Sequence, residues 1–256
     1  MKKNKSLKTI FTNIFTISFF LVSFVLVINL ADIFSSLITV GGFSFAGENL
    51  SFQKMITYAV CTSNHPTKLA ASELSETTKI QGGAGYIYMN ENSYYIIASI
   101  YDNSADAEKV LKNILSDKPN ASIQQINIPA INIASNLSSQ EKNTISDSIV
   151  VFKNSYKKLY DISVSLDTGL ITEVNARLSI NELASQITTI YGNFNTIFNN
   201  SLNTELMLIK LKLEDLINIL QKLIDNTERF PFTSQIKETY CKILINYKSL
   251  AESIKS

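Results

Sequence analysis

The chain has 256 residues, a net charge of +1 and a 45% hydrophobic share, enough apolar material for one membrane segment and one or two modest cores. Near-neutral charge excludes a polyanion-binding stripe and, with it, nucleic acid as a partner. One histidine and two cysteines exclude a zinc cluster built from the usual ligands.

Charge is uneven along the chain. Lys2, Lys3, Lys5 and Lys8 make a basic tail over 1–8, whereas the part from Asp32 onwards holds 19 basic and 22 acidic residues. Between them Thr9 to Ala31 carries no charge, and at about 1.5 Å per residue it makes roughly 34 Å of helix, enough for a hydrocarbon core of about 30 Å. The expectation is a single membrane-anchor helix over 9–31 in the lipid bilayer of the cell membrane, with a cytoplasmic N-terminus and the remainder extracytoplasmic. A cleaved signal peptide is the competing reading, with Ser44-Phe45-Ala46 as a distant cleavage site. Asn13 and Asn29 fall near the two ends of the span, where a polar amide costs least. Residues 32–49, with Gly41, Gly42 and Gly47, read as a tether.

Residues 50–130 read as a small α+β domain. Lys54 to Thr62 is strand-like, and Pro66 to Thr78 follows as a helix with Pro66 in its first turn and Leu69, Ala70 and Leu74 on one side. Gly85 to Met89 and Tyr94 to Tyr101 form a hairpin around Asn90-Glu91-Asn92-Ser93. Ser104 suits a helix cap, Asp106 and Glu108 suit the positive helix end, and Val110, Leu111, Ile114 and Leu115 recur at helical spacing. After the Lys118-Pro119-Asn120 turn, Ala121 to Ile128 is the last strand. This order predicts an antiparallel sheet with two helices on one face.

Two half-repeats stand out here: Tyr58-Ala59-Val60-Cys61-Thr62-Ser63, and Tyr94 to Tyr101 followed by Ala105-Asp106-Ala107-Glu108. They resemble the strand and helix-start motifs of the SPOR (sporulation-related repeat) domain family over about 50–130. The resemblance implies a cell-envelope domain, active in division or sporulation, that binds peptidoglycan glycan strands on the open face of its sheet. Val60 and Ile97 stand where the family often has polar Gln or Arg, and Thr62 and Ser99 where it has Gly. If the register follows the family, strand alternation puts Tyr58, Val60, Thr62, Tyr95, Ile97, Ser99 and Tyr101 on that open face, with Ala59, Cys61, Tyr94, Ile96 and Ala98 against the helices. Tyr86, Tyr88 and Tyr95 are then the aromatic glycan contacts; ordinary sheet packing is the alternative use of those rings. So apolar a face can equally be covered by another part of the protein.

Residues 131–137 read as a linker, and 138–256 as an all-α helical bundle with 13 basic and 13 acidic residues. Ser138 and Glu141 have capping-box spacing before a helix to about Leu166, which Gly169 ends; Ser179 and Glu182 repeat that spacing before a second helix to about Phe198. Leu170 to Leu178 reads as a short extra helix. Leu202 to Asp225 is a third, with a heptad-like seam of Leu206, Ile209, Leu213, Leu216, Leu220, Leu223 and Ile224, and Thr233 to Ile254 follows Pro231 as a fourth. The seam fits either an intramolecular core or a coiled-coil dimer.

Little of this supports catalysis or a cofactor. His65, beside Pro66, reads as a capping or exposed residue rather than a triad member, and the acidic pairs Glu73/Glu76 and Asp106/Glu108 read as solvated helix residues rather than glycosidase carboxylates. Gly82-Gly83-Ala84-Gly85 precedes a strand, so it reads as a place of close backbone approach and not as a phosphate loop. Cys61 and Cys241 are expected as buried free thiols; a disulfide would need the bundle to dock on the sheet. The expected protein is a non-catalytic, membrane-anchored peptidoglycan-binding protein of the envelope. The alternative is an envelope scaffold with a masked sheet face, whose bundle recruits a protein partner.

Overall fold

Tyr94–Tyr101, rich in β-branched and aromatic residues, occupies the interior of the sheet. The computed structural model describes residues 49–134, 137–199, 203–226 and 229–254. The expected basic tail, anchor (9–31), cleavage site and most of the tether lie outside the described residues. Among the described residues no helix is long and apolar enough to cross a membrane.

The chain is α+β. A four-stranded antiparallel sheet contains β2 (Met55–His65), β3 (Tyr86–Asn90), β4 (Ser93–Tyr101) and β5 (Ser122–Ile128) in the order β3-β4-β2-β5. With helices α1 (Lys68–Ile80) and α2 (Ser104–Ile114) in the two crossovers, this is the split βαβ, ferredoxin-like arrangement. The hairpin turns on Glu91 and Asn92, and Glu91 adopts φ +52°. Pairing of β2 with β4 is irregular: Val60 faces Ser99, but Cys61 faces Ile97, so Ala98 is skipped. Such a bulge reverses which side the following residues point to.

Several expected boundaries move. Residues 131–137 are not wholly a linker: β6 (Ile131–Ala134) pairs antiparallel with β1 (Asn49–Phe52), with Leu50 opposite Ile133 and Phe52 opposite Ile131. Four residues with a distant partner are too few for a periodicity signal, yet all four of those side chains are buried. The cap of α1 is Thr67, whose Oγ1 accepts from the Ala70 N–H at 3.3 Å, so Pro66 precedes the cap. Asn103 rather than Ser104 caps α2, accepting from the Asp106 N–H at 2.9 Å. Helix α1 buries Ala71, Ser75 and Thr78, while Leu69 and Leu74 are exposed. The helix lies so close to the sheet that small residues face it: the Ser75 hydroxyl donates to the Gly85 carbonyl, which larger side chains would hold away.

The bundle is intramolecular. It consists of α3 (Ser139–Asp167), α4 (Glu173–Ile197), α5 (Thr204–Asp225) and α6 (Phe232–Ile254), with α6 packing on both α3 and α5 to close the ring. The capping box of Ser138 and Glu141 forms in both directions, and Gly169 takes φ +70° after α3. Helix α4 starts at Thr172, which accepts from the Asn175 N–H at 3.3 Å. The Ser179/Glu182 spacing therefore falls inside a continuous helix, and no separate helix spans Leu170–Leu178. The α5 seam from Leu206 to Leu223 is buried as predicted, with Ile224 partly so.

Helix α6 positions everything else. Thirteen of its 23 residues are buried, more than one face can account for, because α3 and α5 cover one side and β4, β5 and β6 the other. One apolar core thus runs from Ala59, Cys61, Ile97 and Ile126 through Tyr240 and Leu244 into the bundle.

Candidate functional site

Bulged pairing divides the residues that strand alternation assigns to one open face. Ile97, Tyr86, Tyr88 and Tyr95 lie on the bundle side, with Tyr86 opposite Ile97 and Tyr88 opposite Tyr95. Ile97 is 0% exposed, and the three tyrosines are half-buried against the bundle core. Ala59 and Cys61 share that side, so they do not pack on α1 and α2 as expected. Val60, also fully buried, points the other way with its partner Ser99, whose hydroxyl donates to the Tyr101 hydroxyl at 2.9 Å. Thr62 faces α1, with its Oγ1 3.3 Å from that of Thr78. Tyr58 is half-buried and pairs with Tyr101 and Gln125. The expected open face is therefore two faces, and each is partly covered, one by the bundle and the other by α1 and α2.

Burial and polar ties hold the bundle on the sheet. Tyr240 is buried against β4, its hydroxyl tied to the Ile100 backbone, and it meets Tyr156 edge-on at 5.8 Å between ring centres. Tyr160 continues this aromatic cluster to Tyr101 of β4 at 6.1 Å. The glycine-rich segment is a docking point: Lys237 Nζ donates to the Gly82 carbonyl at 2.9 Å, and the Ser234 hydroxyl donates to the Gly83 carbonyl. Glu238 accepts Lys79 of α1 at 2.7 Å and Lys242 at 2.8 Å. Burial raises the Glu238 carboxyl, but its bonds to Lys242 and Lys79 outweigh that and hold it below the usual range. Arg229 also reaches Glu76 at 2.5 Å.

Between α1 and α2 the helices do not close over the sheet, leaving a groove of about 540 Å³. Thr62 and Ala98 form its floor, Thr78 and Gln81 one wall, and Val110 and Ile114 the other. It continues past Asp117 and Lys118 towards Leu74 and Asn120. Sequence periodicity could not have found it, because the gap depends on how far apart the two helices sit.

The remaining candidates have local roles. His65 Nε2 lies 3.0 Å from the Ser63 hydroxyl, and no carboxylate completes a triad with this pair among the described residues. Glu76 holds Arg229, and Asp106, bonded by Asn103 and Lys109, is kept below the usual carboxylate range. Both cysteines are buried free thiols. Desolvation pushes Cys61 up to about 12; Cys241 is also raised, by burial first and then by Glu238 and Cys61. Among the described residues no three His, Cys, Asp or Glu side chains gather to hold a metal ion.

Comparison of the chain with family models, curated proteins and solved structures finds no match.

Proposed function

We propose that this chain is a non-catalytic assembly module of the cell envelope, anchored by 9–31, whose bundle masks one face of its own sheet and whose remaining surfaces bind a protein partner. The observation that carries this reading is Ile97, fully buried beneath the bundle in the middle of the sheet. A ligand on that face would have to displace α6, and with it the core shared by sheet and bundle. Two surfaces remain for a partner. One is the α1/α2 groove, bordered by exposed Leu74; the other is the outward run of Leu170, Val174 and Leu178, each more than half exposed.

Glycan binding, implied by the SPOR resemblance, is the second reading. Tyr88 and Tyr95, paired at the β3 edge and only half-buried, favour it. Co-sedimentation of the detergent-purified full chain with peptidoglycan, intact and stripped of stem peptides, separates the two. The assembly reading expects background pelleting in both cases, and a discrete cross-linked adduct in cells from a photo-reactive residue at Leu178. Pelleting that rises on stripped glycan and is lost in Tyr95→Ala would replace it with glycan binding.

A further inference from the structure

A second cavity, of about 470 Å³, lies between α5 and α6 with Tyr86 of β3 in its wall. Sites for small ligands commonly occupy about 300–1,000 Å³ with a mostly apolar lining; this one is an open cleft, and polar and charged side chains dominate its lining. Three ammonium groups line this one, Lys212 and Lys222 from α5 and Lys242 from α6, against a single carboxylate, Asp215. Such an excess of one sign in a cleft focuses the field on a counter-ion.

The existing pairings leave part of that charge unspent. Lys212 reaches Asp215 at only 3.8 Å. Lys242 shares Glu238 with Lys79, so two ammoniums divide one carboxylate. Lys222 has no ion-pair partner among the described residues. The Asn246 side-chain amide adds a buried N–H donor for which no described residue supplies an acceptor. A buried donor left unpaired carries a desolvation cost that an oxygen-rich ligand relieves.

We infer that this cleft binds a phosphate group carried on a sugar ring, with Lys212, Lys222, Lys242 and Asn246 on the phosphate oxygens and Tyr86 against the ring. Lysine suits the task as a compact point charge for phosphate, and a half-buried tyrosine offers an apolar ring with a polar tip to a sugar face. The site is separate from the α1/α2 groove and does not rest on the assembly reading.

Isothermal titration of the detergent-purified full chain tests this with three probes: glucose 1-phosphate, inorganic phosphate and methyl glucoside. Glucose 1-phosphate should bind saturably, several-fold more tightly than inorganic phosphate, and more weakly as salt is raised; methyl glucoside should not bind. Lys222→Gln and Lys212→Gln should each weaken binding by about fivefold, the upper range for one exposed charge pair. Asp215→Asn should strengthen it, a gain that loss of structure could not produce. Lys210→Gln, on the same helix but outside the cleft, should change nothing. Circular dichroism checks that each variant is folded. Absence of saturable phosphate binding, or binding indifferent to Lys212, Lys222 and Asp215, overturns the site. Equal affinity for glucose 1-phosphate and inorganic phosphate overturns the role of Tyr86.

Discussion

Cys61 shows how a single position reports the architecture. It stands on β2 and is covered by the bundle, with Cys241 of α6 buried nearby in the same core. With the Cys61 thiol pushed up to about 12 and Cys241 raised as well, neither supplies thiolate near neutral pH. A thiol-reactive reagent should therefore label neither cysteine in the folded chain and both once denaturant unfolds it; fast labelling of Cys61 alone would mean that the bundle leaves the sheet. Gly85 is equally diagnostic. Its φ is +58°, and an added Cβ would meet the Ser75 carbonyl oxygen and Lys79 Cγ at 2.5 Å. Gly82, at φ +85°, has open space around it. Both changes to alanine carry backbone strain of order 1–3 kcal/mol, and Gly85→Ala adds a clash, so thermal unfolding should fall further for Gly85→Ala than for Gly82→Ala.

At the scale of elements, the caps decide where helices begin. Thr172 accepts an end-of-helix N–H, whereas Ser179 sits about two turns on, inside α4. Thr172→Ala should lower stability by about 1 kcal/mol, and Ser179→Ala should stay within about 0.5 kcal/mol, read from denaturant midpoints. Helix α6 is tied to α1 through Glu238, and the sign of its pH effect follows from its lowered pKa. The stabilisation from this carboxylate is fully present above the unfolded glutamate pKa of about 4.5 and is lost as pH falls through the lower folded value. The stability advantage of the wild type over Glu238→Gln should accordingly be constant near neutrality and shrink in the acid range. A constant difference down to low pH would remove Glu238 from the interface energetics.

For the whole molecule, the shared core predicts cooperative behaviour. Sheet and bundle have no separating layer of solvent between Ile97 and the bundle, so far-UV and tyrosine signals should report one coincident unfolding transition for the folded region. Ile97→Ala, in the middle of that layer, should cost about 2–5 kcal/mol and shift both signals together. Two separated transitions would mean that sheet and bundle are independently stable.

Much of this was legible in order along the chain. Tyr94–Tyr101 as a strand, the Glu91-Asn92 hairpin, the Ser138/Glu141 capping box, Gly169 as a terminator and the α5 seam are all local, and their signals lie within a few residues of one another. The amino-acid sequence by itself determined the α+β class, the order of the four sheet strands with α1 and α2, the four long bundle helices, and the uncharged stretch 9–31. Only the tertiary structure decided which way Val60 and Ile97 point, because one skipped residue, Ala98, reverses the side-chain parity of a strand. It also decided that β1 and β6 pair across the length of the sheet domain, and that α6 covers the face otherwise available to a ligand. These outcomes depend on contacts between residues far apart in the chain, to which the periodicity of any one segment carries no reference.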